Sequence, residues 1–161
     1  MFKKLLPDII LKNIFEIDTK FLEKHSIKLL LLDIDNTLVP HGMQSTPEVV
    51  KWISGLQEKG YQICLISNNN KKRVDLFNNE INIPAFHKSK KPLSRIYQRV
   101  VKEFKVDINH IAAVGDQLFS DIWGANRIGI LTILVRPINK HEPLQIKCKR
   151  VLEKIILYYR S

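Results

Sequence analysis

The sequence predicts an α/β fold with a mainly parallel, five-stranded sheet. Two observations carry this prediction: short, almost wholly apolar runs recur along the chain, and segments of helical length and period separate them. Apolar runs of this kind have the composition of strands covered on both faces, and strands alternating with helices build parallel sheets.

In chain order, residues 1–25 come first as an N-terminal helical segment. Phe2, Leu5, Leu6, Ile9 and Ile10 lie beside Lys3, Lys4 and Lys12, so this segment can pack on the body or lie on an anionic membrane surface. The first strand is "KLLLLDI", 28–34. Thr46 then caps a helix that opens with Pro47 and Glu48, carries Val49, Trp52, Ile53 and Leu56 at helical spacing, and stops at Gly60. "YQICLIS" (61–67) is the second strand, with a helix opening at Asn68, and "IPAF" (83–86) is a weak third. Pro92 opens a helix through about Lys105 with Leu93, Ile96, Val100 and Phe104 on one face. "HIAAVGD" (110–116) and "LTILV" (131–135) complete the sheet, and 144–159 reads as a final amphipathic helix. No linker, repeat or low-complexity stretch interrupts the chain, so residues 1–161 are expected to form one domain.

Composition narrows the function classes. The 161 residues hold 26 Lys+Arg against 16 Asp+Glu, a formal charge of +10, which favours anionic partners: phosphorylated substrates, an acidic membrane surface or nucleic acid. Cys64 and Cys148 are far apart and outside any C-x-x-C pattern, which excludes a disulfide framework and a zinc site and fits a reduced, cytoplasmic protein. No apolar run approaches the ~20 residues of a membrane-spanning helix. At the start, Asp8, Lys12 and Glu16 interrupt the apolar stretch and no small-residue cleavage site follows, so the segment is expected to be retained. The five histidines are scattered, and only His87 falls near a cluster of lysines.

Polar residues gather where the strands end, which in an open parallel sheet is where reactive groups converge. The first strand ends in Asp33 and Asp35, the second in Ser67 and Asn68, the weak third is followed by Lys91, and the fourth ends in Asp116 with Asp121 beyond. Alone, each is an ordinary turn or surface residue; together, at successive strand ends, they form one site. Side chains two apart on an extended segment point the same way, so Asp33 and Asp35 are expected to face a common spot. With Asp116 from a neighbouring strand they make an oxygen-rich site suited to Mg²⁺. Asp33 is already ionised at neutral pH and can attack a phosphate without a base, provided cations offset the repulsion. Mg²⁺ and Lys91 supply that charge, while Ser67 and the backbone N–H of Asn68 hold phosphoryl oxygens. Asp35 is left to give a proton to the leaving oxygen and later take one from water.

"DIDNT", the Ser of "ISNN", the Lys of "KKP" and the acidic "GDQLFSD" resemble the four motifs of the haloacid dehalogenase superfamily of phosphohydrolases. The longer stretches "DIDNTLV", "ISNNN", "KKPL", "GDQLFSDIWGANRIGILTILV" and the opening "KKLLPDIILKNIFEI" resemble its subfamily IIIA, and within that the YqeG family, related to the phosphatidylglycerophosphate phosphatases of mitochondria and plastids. Two departures are mild: Ser120 stands where Thr is usual and Trp123 where an aliphatic residue is usual. The resemblance implies a Rossmannoid three-layer sandwich without a large cap domain. It implies that Asp33 becomes an aspartyl-phosphate, that Asp35 is the general acid/base and that Thr37 supports the motif loop. Ser67 and Lys91 would bind phosphate. Asp116 would ligate Mg²⁺ with Asp33 and the backbone carbonyl of Asp35, and Asp121 would orient the lysine or a metal-bound water.

The 38–61 segment is only long enough for a crossover helix, so an open site is expected, which suits a large substrate. Residues 71–105 hold ten Lys/Arg and three acids, a local +7, and Lys71, Lys72, Arg73, Lys88 and Lys90 are candidates to rim that site. The expected reaction is hydrolysis of an anionic lipid phosphate, phosphatidylglycerophosphate, by a cytoplasmic protein that touches the inner face of the membrane. The alternatives are nucleotide, nucleic-acid-end or sugar phosphates, or a non-catalytic RNA or ribosome partner. Nucleic acid is less favoured, because five intact catalytic-type residues serve no purpose in binding alone and no aromatic stacking pattern is evident.

Overall fold

The computed structural model describes residues 2–139 and 144–158. Residues 1, 140–143 and 159–161 of the expected single domain lie outside the described residues, as do the side chains of Phe2, Lys3, Leu144 and Gln145. Six strands form one sheet: β1 (Ile9–Leu11), β2 (Leu29–Leu32), β3 (Gln62–Ile66), β4 (Ala85–Phe86), β5 (Ile111–Gly115) and β6 (Leu131–Val135). Their order is β1-β6-β5-β2-β3-β4, and every neighbouring pair is parallel. The helices are α1 (Thr19–Lys24), α2 (Pro47–Glu58), α3 (Lys71–Asn78), α4 (Ser94–Phe104), α5 (Trp123–Asn126) and α6 (Leu144–Tyr158).

The alternation of side chains along each strand divides the core in two. Leu30 and Leu32 of β2 join Ile53 of α2, Phe77 of α3 and Leu22 of α1 on one face, while Leu29 and Leu31 join Tyr97 and Val100 of α4 and Ala125 of α5 on the other. All four leucines of β2 are at most 2% exposed. A central strand covered on both sides has no solvated face on which to place a polar residue, which is why "LLLL" reads as it does. Each such leucine contributes roughly 1.5–3 kcal/mol by leaving water. The result is the three-layer sandwich without a large cap, since only α2 fills the chain between β2 and β3.

The structure has one strand more than the sequence indicates, and it comes from the opening segment expected to be helical. Ile9, Ile10 and Leu11 pair in register with Ile133, Leu134 and Val135 of β6. Pro7 is poorly placed inside a helix and disfavours helical backbone in the residue before it, and the open edge of β6 satisfies the backbone of Ile9–Leu11 instead. Asp8 fastens this strand: its Oδ2 accepts from Thr132 N at 2.8 Å and Thr132 Oγ1 at 2.9 Å. Asn126 Nδ2 donates to the carbonyl of Leu6 at 2.8 Å. Two boundaries also move. The helix expected to open at Asn68 begins at Lys71, capped by Asn70, whose side chain accepts from Arg73 N. The helix expected to open at Pro92 begins at Ser94.

Candidate active site

The carboxyl ends of β2, β3 and β5 and the segment after β4 converge on a cavity of about 300 Å³ lined by Asp33, Asp35, Ser67, Asn68 and Lys91. Trp123 of α5 and Ile146 and Lys149 of α6 also line it. Asp33 follows β2 directly, and its N–H still bonds Val114 O of β5 at 3.0 Å, so the nucleophile candidate is placed by the sheet itself.

Asp33, Asp116 and Asp121 each bring a carboxylate oxygen within 4.8 Å of the others. Lys91, buried with its side chain only 4% exposed, places Nζ 2.6 Å from Asp33 Oδ1 and 2.6 Å from Asp121 Oδ1. Thr37 supports the same cluster, donating to Asp33 Oδ2 at 3.1 Å, with Asp116 Oδ1 3.4 Å away. Asp121 lies on a π-helical turn, Leu118–Ile122, and its second oxygen accepts from Gln117 N at 3.1 Å. Gly115 makes this approach possible, since a Cβ there would sit 2.4 Å from the Asp121 side chain.

Burial dominates the electrostatics. Desolvation, opposed by Lys91 and reinforced by Asp121, raises Asp33 from 3.8 to about 6. Desolvation and then Asp121 and Asp33 push Asp116 well above the usual carboxylate range, against the pull of Arg150. Burial pulls the pKa of Lys91 down, yet the carboxylates of Asp121 and Asp33 outweigh it and hold the ammonium charged. Three acids crowded together at this depth, two of them with raised pKa values, have a deficit of positive charge. The set can hold a divalent metal: hard oxygen donors, close together, on a rigid sheet edge.

Asp35 is arranged differently from Asp33. β2 ends at Leu32 and the backbone turns through Asn36 (φ +63°), so the two-residue alternation expected to aim both acids at one spot does not extend past the strand. The Asp35 side chain instead accepts from Arg73 Nε at 3.1 Å and Nη2 at 2.8 Å, Asn69 Nδ2 at 2.6 Å and Gly42 N at 2.8 Å. It faces the same cavity as Asp33 but stands outside the carboxylate cluster. Ser67 is buried and its Oγ accepts from Asn69 N at 3.1 Å. Asn68 clamps the backbone of Lys91 on both sides, accepting from its N–H at 2.7 Å and donating to its carbonyl at 3.1 Å.

Several members of the site carry no local signal in the sequence. Arg150 of α6 pairs with Asp116 Oδ2 and with the Asp116 carbonyl, and binds Glu153 Oε2 at 3.1 Å, while Glu153 Oε1 accepts from Leu118 N at 2.8 Å. Tyr97 donates to the Asp121 carbonyl at 3.1 Å. The basic rim is also thinner than its composition implies: Arg73 is committed to Asp35 and Lys71 to Asp75, which leaves Lys72, Lys88 and Lys90 exposed. The histidine at the cavity is His41, 3.8 Å from Asp35, whereas His87 is absent from its lining.

A sequence profile of the family described as "Mitochondrial PGP phosphatase" matches residues 2–139. The chain belongs to the mitochondrial PGP phosphatase family. It is 36% identical over 159 residues to the Bacillus subtilis (strain 168) protein named "Probable phosphatase YqeG", covering 98% of this chain and 92% of that one. It is 29% identical over 165 residues to phosphatidylglycerophosphate phosphatase 1, chloroplastic/mitochondrial, of Arabidopsis thaliana, spanning 95% of this chain but 47% of the plant protein. Among solved structures, a hydrolase from Legionella pneumophila assigned to subfamily III A of the haloacid dehalogenase superfamily shares the fold, with a TM-score of 0.52 at 19% identity over 85% of this chain and 86% of that one. As a member of the PGP phosphatase family, the protein is a phosphoric monoester hydrolase, and its fold is the one the Legionella hydrolase shows. Among the described residues, no helix is long and apolar enough to cross a membrane.

Proposed function

We propose that the protein removes phosphate from phosphatidylglycerophosphate in two stages at Asp33, with Mg²⁺ held by Asp33, Asp116 and the backbone carbonyl of Asp35. The observation that supports this most is the meeting of three carboxylates within 4.8 Å, two of them on one buried lysine, beside the cavity that Asp33 and Lys91 line. The cluster adds Asp121 to the donors available to the metal, beside its bond to Lys91. When bound, the ion supplies positive charge at the transferring phosphate.

Charge decides what the residues must do. At ~3 Å and an effective dielectric near 20, each pair of like unit charges costs roughly 5 kcal/mol, so Asp33 cannot approach a phosphate without cations beside it. Lys91 already touches the attacking oxygen and turns toward a phosphoryl oxygen as the Asp33–phosphorus bond forms and the ester bond breaks. Ser67 and the N–H of Asn68 hold the remaining oxygens. Asp35, which lines the same cavity, gives its proton to the departing alkoxide. In the second stage it takes a proton from the water that attacks phosphorus and frees Asp33. Thr37 and Asp121 hold the nucleophile and the lysine in place.

The lipid substrate is supported by the family and by the cavity wall, to which α2, the helix between β2 and β3, contributes no residue. The test is phosphate release from phosphatidylglycerophosphate in mixed micelles, with Mg²⁺ or with EDTA, beside nucleotide and sugar phosphates. Turnover that needs Mg²⁺ and disappears in Asp33→Asn is expected. Release from the soluble phosphates alone would keep the chemistry and replace the substrate, and release undiminished in Asp33→Asn would overturn the mechanism.

A further inference from the structure

The exposed large apolar residues are not spread evenly: Val151, Leu152, Ile155 and Tyr158 all lie on α6 and are 59%, 54%, 49% and 78% exposed. α6 is apolar on two opposite sides. Its inner side sets Ile156 and Leu157 against Leu118, Ile122 and Leu134, and buries Glu153. Its outer side carries Cys148, Val151, Leu152 and Ile155 at spacings of three, one and three, which place them in one stripe about half a turn from Arg150 and Glu153. At 100° per residue, Lys147 and Lys154 project along one flank of that stripe and Lys149 along the other. These three lysines are exposed and have no ion-pair or hydrogen-bond partner among the described residues.

We infer that the outer face of α6 docks on an anionic lipid bilayer. A helix lying in a membrane interface needs an apolar stripe to enter the acyl boundary and cations beside it to meet the headgroups. The outer face of α6 has both. A second copy of the chain fits this face poorly, because a symmetric pairing of the stripes would set the lysines of one copy against those of the other in a protein of formal charge +10. The surface is continuous with the candidate site, since Lys149 flanks the stripe and also lines the Asp33 cavity. Docking there would bring a lipid headgroup to the mouth of the cavity while the sheet stays in water. The inference extends the lipid-phosphate reading above and relocates membrane contact from the N-terminal segment, whose Ile9 and Leu11 pair with β6 and pack against the core.

The experiment is co-sedimentation of the full chain with phosphatidylglycerol-rich vesicles and with phosphatidylcholine vesicles, alongside the combined variant Val151→Ser, Leu152→Ser, Ile155→Ser. The wild type is expected to bind the anionic vesicles and to release in high salt. The variant should keep the wild-type Tm, because these side chains are exposed, and lose about tenfold or more in binding, as removal of three inserting side chains implies. Failure of the wild type to bind overturns the inference, as does a variant that binds equally well. A wild-type dimer that the variant splits, with vesicle binding unchanged, overturns it in favour of a second copy. Binding is read without turnover, so vesicle binding by a protein inactive on phosphatidylglycerophosphate would refute the substrate and leave the docking face standing.

Discussion

The guanidinium of Arg73 holds one oxygen of Asp35 through two nitrogens, Nε at 3.1 Å and Nη2 at 2.8 Å, and both side chains are 11% exposed. Asp35, the proposed proton carrier, is thereby tied to the first turn of α3, outside the carboxylate cluster of Asp33, Asp116 and Asp121. One acid of "DIDNT" is set in a cation-poor cluster and the other in a cation-rich pocket, two residues apart.

Arg73→Lys is therefore expected to lower kcat with little change in KM. A lysine brings one nitrogen where the native residue brings two, so the planar fork that orients Asp35 is lost and only Asn69 and Gly42 keep their native bonds to it. Misplacement of a group on this scale costs up to ~10²-fold. Steady-state kinetics on a soluble phosphate monoester reads the split, and a loss confined to KM would contradict the positioning role.

Gly115→Ala tests the packing behind the cluster. The new methyl would lie 2.4 Å from the Asp121 side chain, which cannot retreat without releasing Lys91 and the Gln117 N–H. Overpacking of this kind costs about 1–3 kcal/mol, and activity should fall further than stability. Tm by calorimetry together with turnover checks it, and a variant of native activity would show that Asp121 is dispensable.

In metal-free protein, Asp33→Asn should become relatively more stable as pH rises. Because Asp33 has its pKa raised from 3.8 to about 6 in the folded state, the folded chain keeps a proton that the unfolded chain releases. The penalty is absent below the ordinary pKa, grows between the two values and is fully present above the higher one. Asparagine carries no such penalty. The stability difference between variant and wild type in EDTA should grow by up to roughly 3 kcal/mol from pH 4 to pH 7, and urea titrations at each pH measure it.

Arg150→Ala removes the cation nearest Asp116 and the anchor of α6 at once. Breaking one side of a buried pair typically costs ~3–5 kcal/mol, because the partner charge stays behind. Tm should drop in EDTA and recover in part when excess Mg²⁺ is added, since the stranded carboxylate belongs to the cluster proposed to hold the metal. An Arg150→Ala protein with unchanged Tm would mean that Glu153 and the apolar face hold α6 without Arg150.

The parts of the site legible in the sequence were those announced by a strand end. Asp33, Ser67, Lys91 and Asp116 each follow an apolar run, and parallel topology brings such ends together whatever the helices between them do. Arg150 and Glu153 had no such announcement. They sit mid-helix and some thirty residues from Asp116 and Leu118, so only the docking of α6 gives them their role. Arg73 was visible as charge but not as a partner, because the turn after Leu32 that aims Asp35 toward it depends on three-dimensional context rather than strand period. β1 was missed for a related reason: three residues carry too little periodicity to separate a strand from a helix face, and the edge of β6 decides.

The same short strands govern how the molecule behaves in company. The two outermost strands are the shortest of the six, three residues in β1 and two in β4, while the four between them run to four or five. An outer strand is a template for the next chain only if it offers a row of unpaired N–H and C=O groups. Stubs of two and three residues offer almost none, so a sheet rich in leucine and isoleucine ends at both margins without inviting fibrous association.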